Sequence, residues 1–136
     1  MGCWYVYVVY EKDSRGGPYN VKVGFTKDPL RRLRALQAGN PRPLRSPEYE
    51  QMPTKPFGFP CTSKEMAREV EKAVHDRLRS RGVGLISDFN YEAETAFPRE
   101  WFSDCDPHEV WLIVTEEGMK LRRTDMVMLA RNGEKN

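Results

Sequence analysis

The strongest constraint on the fold is a run of aromatic and β-branched residues near the start of the chain. Trp4–Tyr10 has the composition of a strand. Because strand side chains alternate between the two faces of a sheet, Tyr5, Tyr7 and Val9 are expected on one face. After a polar connection that contains Gly-Gly-Pro, Asn20–Thr26 is predicted to form a second strand. Two strands joined by a short connection pair antiparallel, so the fold must be built around a β-hairpin.

The first predicted helix has clear start and stop signals. Asp28 can cap its N-terminus, Pro29 suits the first helical position, and leucines then recur at helical spacing. Gly39, followed closely by a proline, ends the helix. The side away from the leucines carries three arginines, Arg31, Arg32 and Arg34.

Two further helices are predicted in the second half of the chain. Thr62 opens a capping-box pattern, an apolar stripe of helical period follows, and Gly82 ends this helix. Asp106 can cap a third helix, although the β-branched content of Val110–Thr115 leaves a strand as the alternative there. We expect a further short helix over Met119–Ala130.

The segments between these helices are less regular. Asn40–Pro60 is rich in proline, and we expect a third strand near Glu48–Met52. Val83–Pro98 is a long connection of mixed character. Long loops in small domains are often functional.

The length and composition predict a single intracellular domain. We expect residues 1–136 to form one domain, in which residues 103–136 are a C-terminal helical extension. No segment approaches the roughly 18 apolar residues of a membrane span, and the N-terminus lacks the pattern of a secretion signal. The three cysteines are odd in number and widely spaced, which fits a reducing compartment. We therefore expect a cytoplasmic location and no membrane partner.

Charge is distributed unevenly along the chain. Residues 22–82 carry 14 Lys/Arg against 7 Asp/Glu, a net of +7, whereas residues 83–136 carry 6 against 11, a net of −5. A basic middle segment favours a polyanion such as nucleic acid as the partner. A solvated helix surface explains the charges equally well, so charge alone leaves both interpretations open.

Short motifs, taken in order, resemble those of a known nuclease family. Tyr5-Val6-Tyr7 stands where GIY-YIG nucleases have Gly-Ile-Tyr, and Lys22-Val23-Gly24 stands where they have Tyr-Ile-Gly. Arg32 lies at the position of the family's helical arginine. Glu71-Lys72-Ala73-Val74-His75 and Glu100-Trp101-Phe102 resemble later motifs of the branch common in phages and fungi. The resemblance covers roughly residues 4 to 102.

The resemblance implies a fold, an activity and a set of site residues. The fold would be α/β (α+β), with a small central antiparallel sheet flanked by helices. The activity would be metal-dependent hydrolysis of phosphodiester bonds in nucleic acid, with DNA as the expected substrate. The implied catalytic residues are Tyr7, Lys22, Arg32, Glu71 and His75. Glu71 would hold Mg²⁺ or Mn²⁺, and the candidate substrate-binding residues are Tyr5, Arg31 and Arg34.

These residue types suit the chemistry. A carboxylate such as that of Glu71 binds a hard cation that keeps most of its waters. The planar guanidinium of Arg32 can bind two phosphate oxygens. Tyr7 could orient or deprotonate the attacking water, and the ammonium of Lys22 on the next strand is expected to lower its pKa.

Each residue also has a structural explanation. Tyr7 could be a core aromatic, Lys22 and Arg32 surface charges, and Glu71 a solvated carboxylate. The sequence departs from the superfamily pattern at Tyr5 and Lys22, and Asn90 is a possible equivalent of an asparagine that many members carry. The alternative function is a non-catalytic nucleic-acid-binding module, or an interaction protein, on the same fold.

Overall fold

The structure of the chain is a computed structural model. It describes residues 3–11, 19–40, 42–49, 51, 53–81, 85–86 and 101–134, with the backbone alone at 85–86, 104 and 124–134. Within these ranges, no helix is both long enough and apolar enough to cross a membrane.

The predicted N-terminal hairpin is confirmed. Strand β1 (Trp4–Glu11) pairs antiparallel with β2 (Tyr19–Thr26), and this register places Tyr7 opposite Gly24. Residues 12–18, on which the predicted hairpin loop falls, lie outside the described residues.

Four shorter strands complete an antiparallel sheet. β3 (Leu44–Arg45) and β4 (Phe59–Cys61) both pair with β1, each at a different end of it. On the other side, β2 pairs with β6 (Trp101–Cys105), and β6 pairs with β5 (Leu85–Ile86). The described strands therefore form one six-stranded sheet in the order β3-β1-β2-β6-β5, with β4 also beside β1.

The positions of the short strands were not predicted from the sequence. The strand expected near Glu48–Met52 is wrong for the described residues, because Glu48 lies in a turn and Gln51 in a bend; Glu50 and Met52 lie outside the described residues. Strand β6 was not predicted. It begins at Trp101, at the end of a long connection that gave no clear periodicity.

Helix α1 (Pro29–Ala38) begins and ends as predicted. The Asp28 side chain accepts a hydrogen bond from the backbone N–H of Arg31 at 3.1 Å, and this satisfies one of the free donors of the first turn. Proline occupies the first helical position, and Gly39 is the C-cap.

Helices α2 (Lys64–Ser80) and α3 (Pro107–Glu134) differ in detail from the prediction. The cap of α2 is Ser63 and not Thr62, since the Ser63 hydroxyl accepts from the backbone N–H of Met66 at 3.1 Å. The strand alternative over Val110–Thr115 is wrong, because α3 is helical there. The short helix expected over Met119–Ala130 is a continuation of α3.

The helices cover both faces of the sheet. One face buries alternate residues of β1, such as Val6 and Val8, against α2 and α3. The opposite face buries Tyr7 and Val9 against the leucines of α1 and several surrounding residues, Leu44, Phe57 and Trp101. The alternation predicted for β1 is confirmed, and so is the central antiparallel sheet flanked by helices.

Candidate functional site

A cleft opens where β2 runs past the end of β6. Lys22 of β2 pairs with Trp101 of β6. Beyond Lys22, none of the strands that the structure describes pairs with this side of β2. Helix α2 packs against β2, so residues of the strand, of α1 and of α2 meet there around a cleft of about 400 Å³.

The cleft brings together all five residues that the resemblance implied as catalytic. Its lining includes Tyr7 from β1, Lys22 from β2, Arg32 from α1, and Glu71 and His75 from α2. Three further residues of β2 complete the lining: Val23, Gly24 and Phe25. The structure thus places these side chains on one concave surface, while their roles in catalysis stay a prediction.

The position of Tyr7 depends on the absence of a side chain at Gly24. The Tyr7 ring is almost fully buried in the core cluster on the α1 face of the sheet. It lies across Gly24 so closely that a Cβ at that position would be 2.4 Å from the Tyr7 hydroxyl oxygen. Glycine within a strand often marks such a close approach. The ring therefore packs as a core residue while its hydroxyl reaches the cleft.

The pKa of Tyr7 differs from the sequence prediction. Burial raises it above the usual value, and the charge of Glu71 raises it further. The Arg32 guanidinium lowers this pKa, through a side-chain hydrogen bond and its positive charge, but does not overcome the effect of burial. The expectation that Lys22 would lower the Tyr7 pKa below its usual value is therefore wrong.

The strand register explains this correction. Lys22 faces Val9, whereas Tyr7 faces Gly24 two residues further along β2. Helix α1 instead brings Arg32 to the hydroxyl. At neutral pH the Tyr7 phenol is protonated and acts as a hydrogen-bonding group.

His75 joins helix α2 to strand β2. Its Nε2 lies 3.1 Å from the carbonyl oxygen of Val23, and its ring packs edge-on against Phe102 with centroids 5.1 Å apart. A carbonyl oxygen only accepts, so Nε2 carries the hydrogen in this contact. The same nitrogen lies 3.9 Å from the nearer carboxylate oxygen of Glu71, one helical turn earlier. The side chain is buried, so the contact fixes the position of α2 relative to β2.

Glu71 is the one carboxylate among the described residues that line the cleft. Its side chain is about a quarter exposed, at 25%. The described part of the chain contains no cluster of three or more His, Cys, Asp or Glu side chains able to enclose a metal ion. A single carboxylate with water completing the coordination sphere suits Mg²⁺, which dehydrates reluctantly. Among the described residues, the single carboxylate of the cleft therefore suits a hydrated, hard cation better than zinc.

The candidate substrate-binding residues lie outside the cleft. Arg31 and Arg34 are exposed on α1. Tyr5 is half-buried on β1, opposite Thr26. None of these three lines the cleft.

Two other candidates, Glu100 and Asn90, lie outside the described residues.

Sequence reasoning missed Phe25 as a cleft residue. Its only sequence signal is its position next to the glycine of the second motif.

Comparison with known proteins identifies one related family. The T5orf172 domain matches residues 4–116, which include β1 and every described residue of the cleft. No curated protein and no solved structure matches the chain.

Proposed function

The chain belongs to the T5orf172 domain family, and from this membership and the cleft we propose a divalent-metal-dependent endonuclease of the GIY-YIG type, acting on DNA. The family occurs in phage and bacterial proteins associated with nuclease-like folds. The observation that carries the proposal is the convergence of Tyr7, Arg32 and Glu71 on one cleft. The net charge of +7 over residues 22–82 suits a polyanionic substrate.

Arg32 binds the scissile phosphate in this mechanism. Arg32 is exposed overall, yet it lines the cleft, and its guanidinium lies close enough to Tyr7 to lower the pKa of the phenol. A planar group with five donors can keep this contact and still bind two phosphate oxygens. Donors placed where negative charge develops are among the largest contributions to catalysis.

Tyr7 orients the attacking water. Since burial raises its pKa, the phenol is neutral and can both donate and accept a hydrogen bond. The packed ring and the Arg32 contact hold the hydroxyl in place. We assign Tyr7 a positioning role for water and phosphate, rather than the role of a phenolate base.

Lys22 and His75 support the site in different ways. Lys22 is 9% exposed and lines the cleft on the same face of the sheet as Tyr7, where its ammonium adds positive charge near the phosphate. His75 holds α2 against β2 through the Val23 carbonyl, and this sets the position of Glu71. His75 is therefore a positioning residue in the proposal.

Glu71 would hold the Mg²⁺ or Mn²⁺ ion. A bound divalent cation supplies positive charge that stabilises the phosphate in the transition state and helps to activate water. The exposed quarter of the Glu71 side chain is open to the solvent from which the ion and its waters would come.

The test is a cleavage screen with a matched control on the same helix. Glu71→Gln should abolish cleavage of DNA in Mg²⁺ or Mn²⁺ without changing the unfolding transition. Glu69→Gln, at an exposed position of α2, should cleave like the wild type. Full activity of Glu71→Gln, or full activity in EDTA, would refute the metal role. Salt-dependent binding of DNA or RNA without cleavage would favour the non-catalytic binding module.

A further inference from the structure

An aromatic pair extends from the cleft to the end of the sheet. Phe25, which lines the cleft, packs against Trp4 with ring centroids 5.9 Å apart and planes tilted by 56°. Both rings lie on the face of the sheet that carries α2. Trp4 is only partly buried, so an aromatic surface begins in the cleft and continues to a residue that solvent reaches.

Two lysines from different elements flank the Trp4 ring. The Lys27 ammonium lies 5.2 Å from the ring centroid and the Lys64 ammonium 5.5 Å from it. Lys27 lies in the turn between β2 and α1, and Lys64 is the first residue of α2; both are exposed. The folded chain therefore gathers one aromatic ring and two cations beside the cleft.

Helix α2 connects Lys64 to the proposed metal ligand. Lys64, Arg68 and Glu71 follow one another at spacings of four and three residues, so they share one side of the helix. Lys64 and Glu71 are seven residues apart, which corresponds to about 10 Å along the helix axis. That distance matches about three stacked nucleotides at 3.4 Å per strand.

We propose that Trp4 stacks an unpaired base of the substrate strand while Lys27 and Lys64 bind the neighbouring phosphates. The inference rests on the proposed nuclease function and makes it more specific. The substrate has single-stranded character within a few nucleotides of the scissile phosphate, as in a single strand, an overhang or a flap.

The energies favour the exchange of a lysine for a base on the ring. A lysine over an exposed aromatic ring contributes less to binding than a base stacked on the same ring. The displaced ammonium then gains a phosphate partner. A base within a duplex is already stacked on its neighbours, so only an unpaired base can use the Trp4 face.

Binding measurements in a Glu71→Gln background test this site without cleavage. The probes are a fluorescein-labelled single-stranded oligonucleotide and the blunt duplex that the same strand forms with its complement. Trp4→Leu should weaken single-strand binding by about 5- to 150-fold, the range that corresponds to 1–3 kcal/mol, and change duplex binding by less than about twofold. Trp4→Phe, which keeps a ring, should restore part of the loss.

The lysines provide an independent measurement that leaves Trp4 in place. The double variant Lys27→Gln/Lys64→Gln loses two phosphate contacts. Its slope of log affinity against log salt for the single strand should therefore be less negative than that of the wild type by about 1.4. Lys55→Gln with Lys120→Gln removes the same charge from exposed positions elsewhere and should change the slope much less.

The outcomes separate this inference from the proposed function. If Glu71-dependent cleavage occurs but Trp4→Leu binds and cleaves single strands and flaps like the wild type, the Trp4 site is wrong and the nuclease proposal stands. Equal weakening of single-strand and duplex binding would also overturn the stacking role. If the wild type neither binds nor cleaves nucleic acid, the proposed function fails and the inference with it.

Discussion

Gly24→Ala should damage the site although the glycine contributes no reactive group. The added Cβ would lie 2.4 Å from the Tyr7 hydroxyl oxygen and 2.6 Å from Cζ. Ordinary van der Waals contacts at such a position begin at 3.4 Å, so the ring must move by roughly 1 Å. The ring packs against Leu33, Phe57 and Trp101 on the same face of the sheet, which leaves it little room to do so.

The size of the effect follows from two opposing terms. Overpacking a well-filled core costs about 1–3 kcal/mol. Replacing glycine by alanine in a strand returns about 0.5–1 kcal/mol of conformational entropy. The middle of these two ranges leaves a net loss of about 1 kcal/mol, which lowers the Tm of a domain of this size by about 3–5 °C. If the proposed function holds, a 1 Å displacement of the hydroxyl costs about a hundredfold in rate.

A double-mutant cycle with Tyr7→Leu provides the assay. Chemical unfolding followed by circular dichroism gives the free energy of unfolding of the wild type, each single variant and the double variant. Since leucine lacks the ring that meets the new Cβ, Gly24→Ala should cost nothing in the Tyr7→Leu background. An equal cost of Gly24→Ala in both backgrounds would refute the steric argument, and so would wild-type stability of the single variant.

Three further outcomes are expected elsewhere in the chain. Arg32→Lys keeps the charge but loses the planar group that contacts Tyr7, so cleavage should slow by about a hundredfold; a rate within about twofold of the wild type would leave Arg32 as a surface residue. Burial raises the pKa of the Cys61 thiol to about 11, so at pH 8 iodoacetamide should modify exposed Cys3 well before Cys61, as peptide mass spectrometry can show. Ser63→Ala removes the cap of α2 and should lower the free energy of unfolding by about 1 kcal/mol, whereas Thr62→Ala should change it by only a few tenths.

Local signals in the sequence predicted the elements that depend on local chemistry. The hairpin follows from a long alternating run, and α1 follows from the cap at Asp28 and the stop at Gly39. Strands β4 and β6 exist because other strands pair with them, and a three-residue segment such as Phe59–Cys61 carries little periodicity of its own. The cap of α2 was missed by one residue because Thr62 and Ser63 are both good caps.

In the cleft too, some features could be predicted from the sequence and others depend on tertiary packing. The resemblance singled out Tyr7, Arg32 and Glu71, and the structure brings them together. The direction of the Tyr7 pKa shift could not be predicted, because it depends on the packing of the ring and on the register that keeps Lys22 opposite Val9. The close approach of Tyr7 to Gly24 depends on that same register.

The pairing of β1 with two short strands has a consequence for the nascent chain. Trp4–Tyr10 is uncharged and rich in aromatic and β-branched residues, which is the composition of segments that form intermolecular cross-β aggregates. Its outer edge is paired by β3 and β4, which lie about forty to sixty residues from the start of the chain. During synthesis the hairpin emerges before β3 and β4, so this edge stays exposed until residues 44–61 follow. A fragment that ends near residue 40 is therefore expected to aggregate through β1.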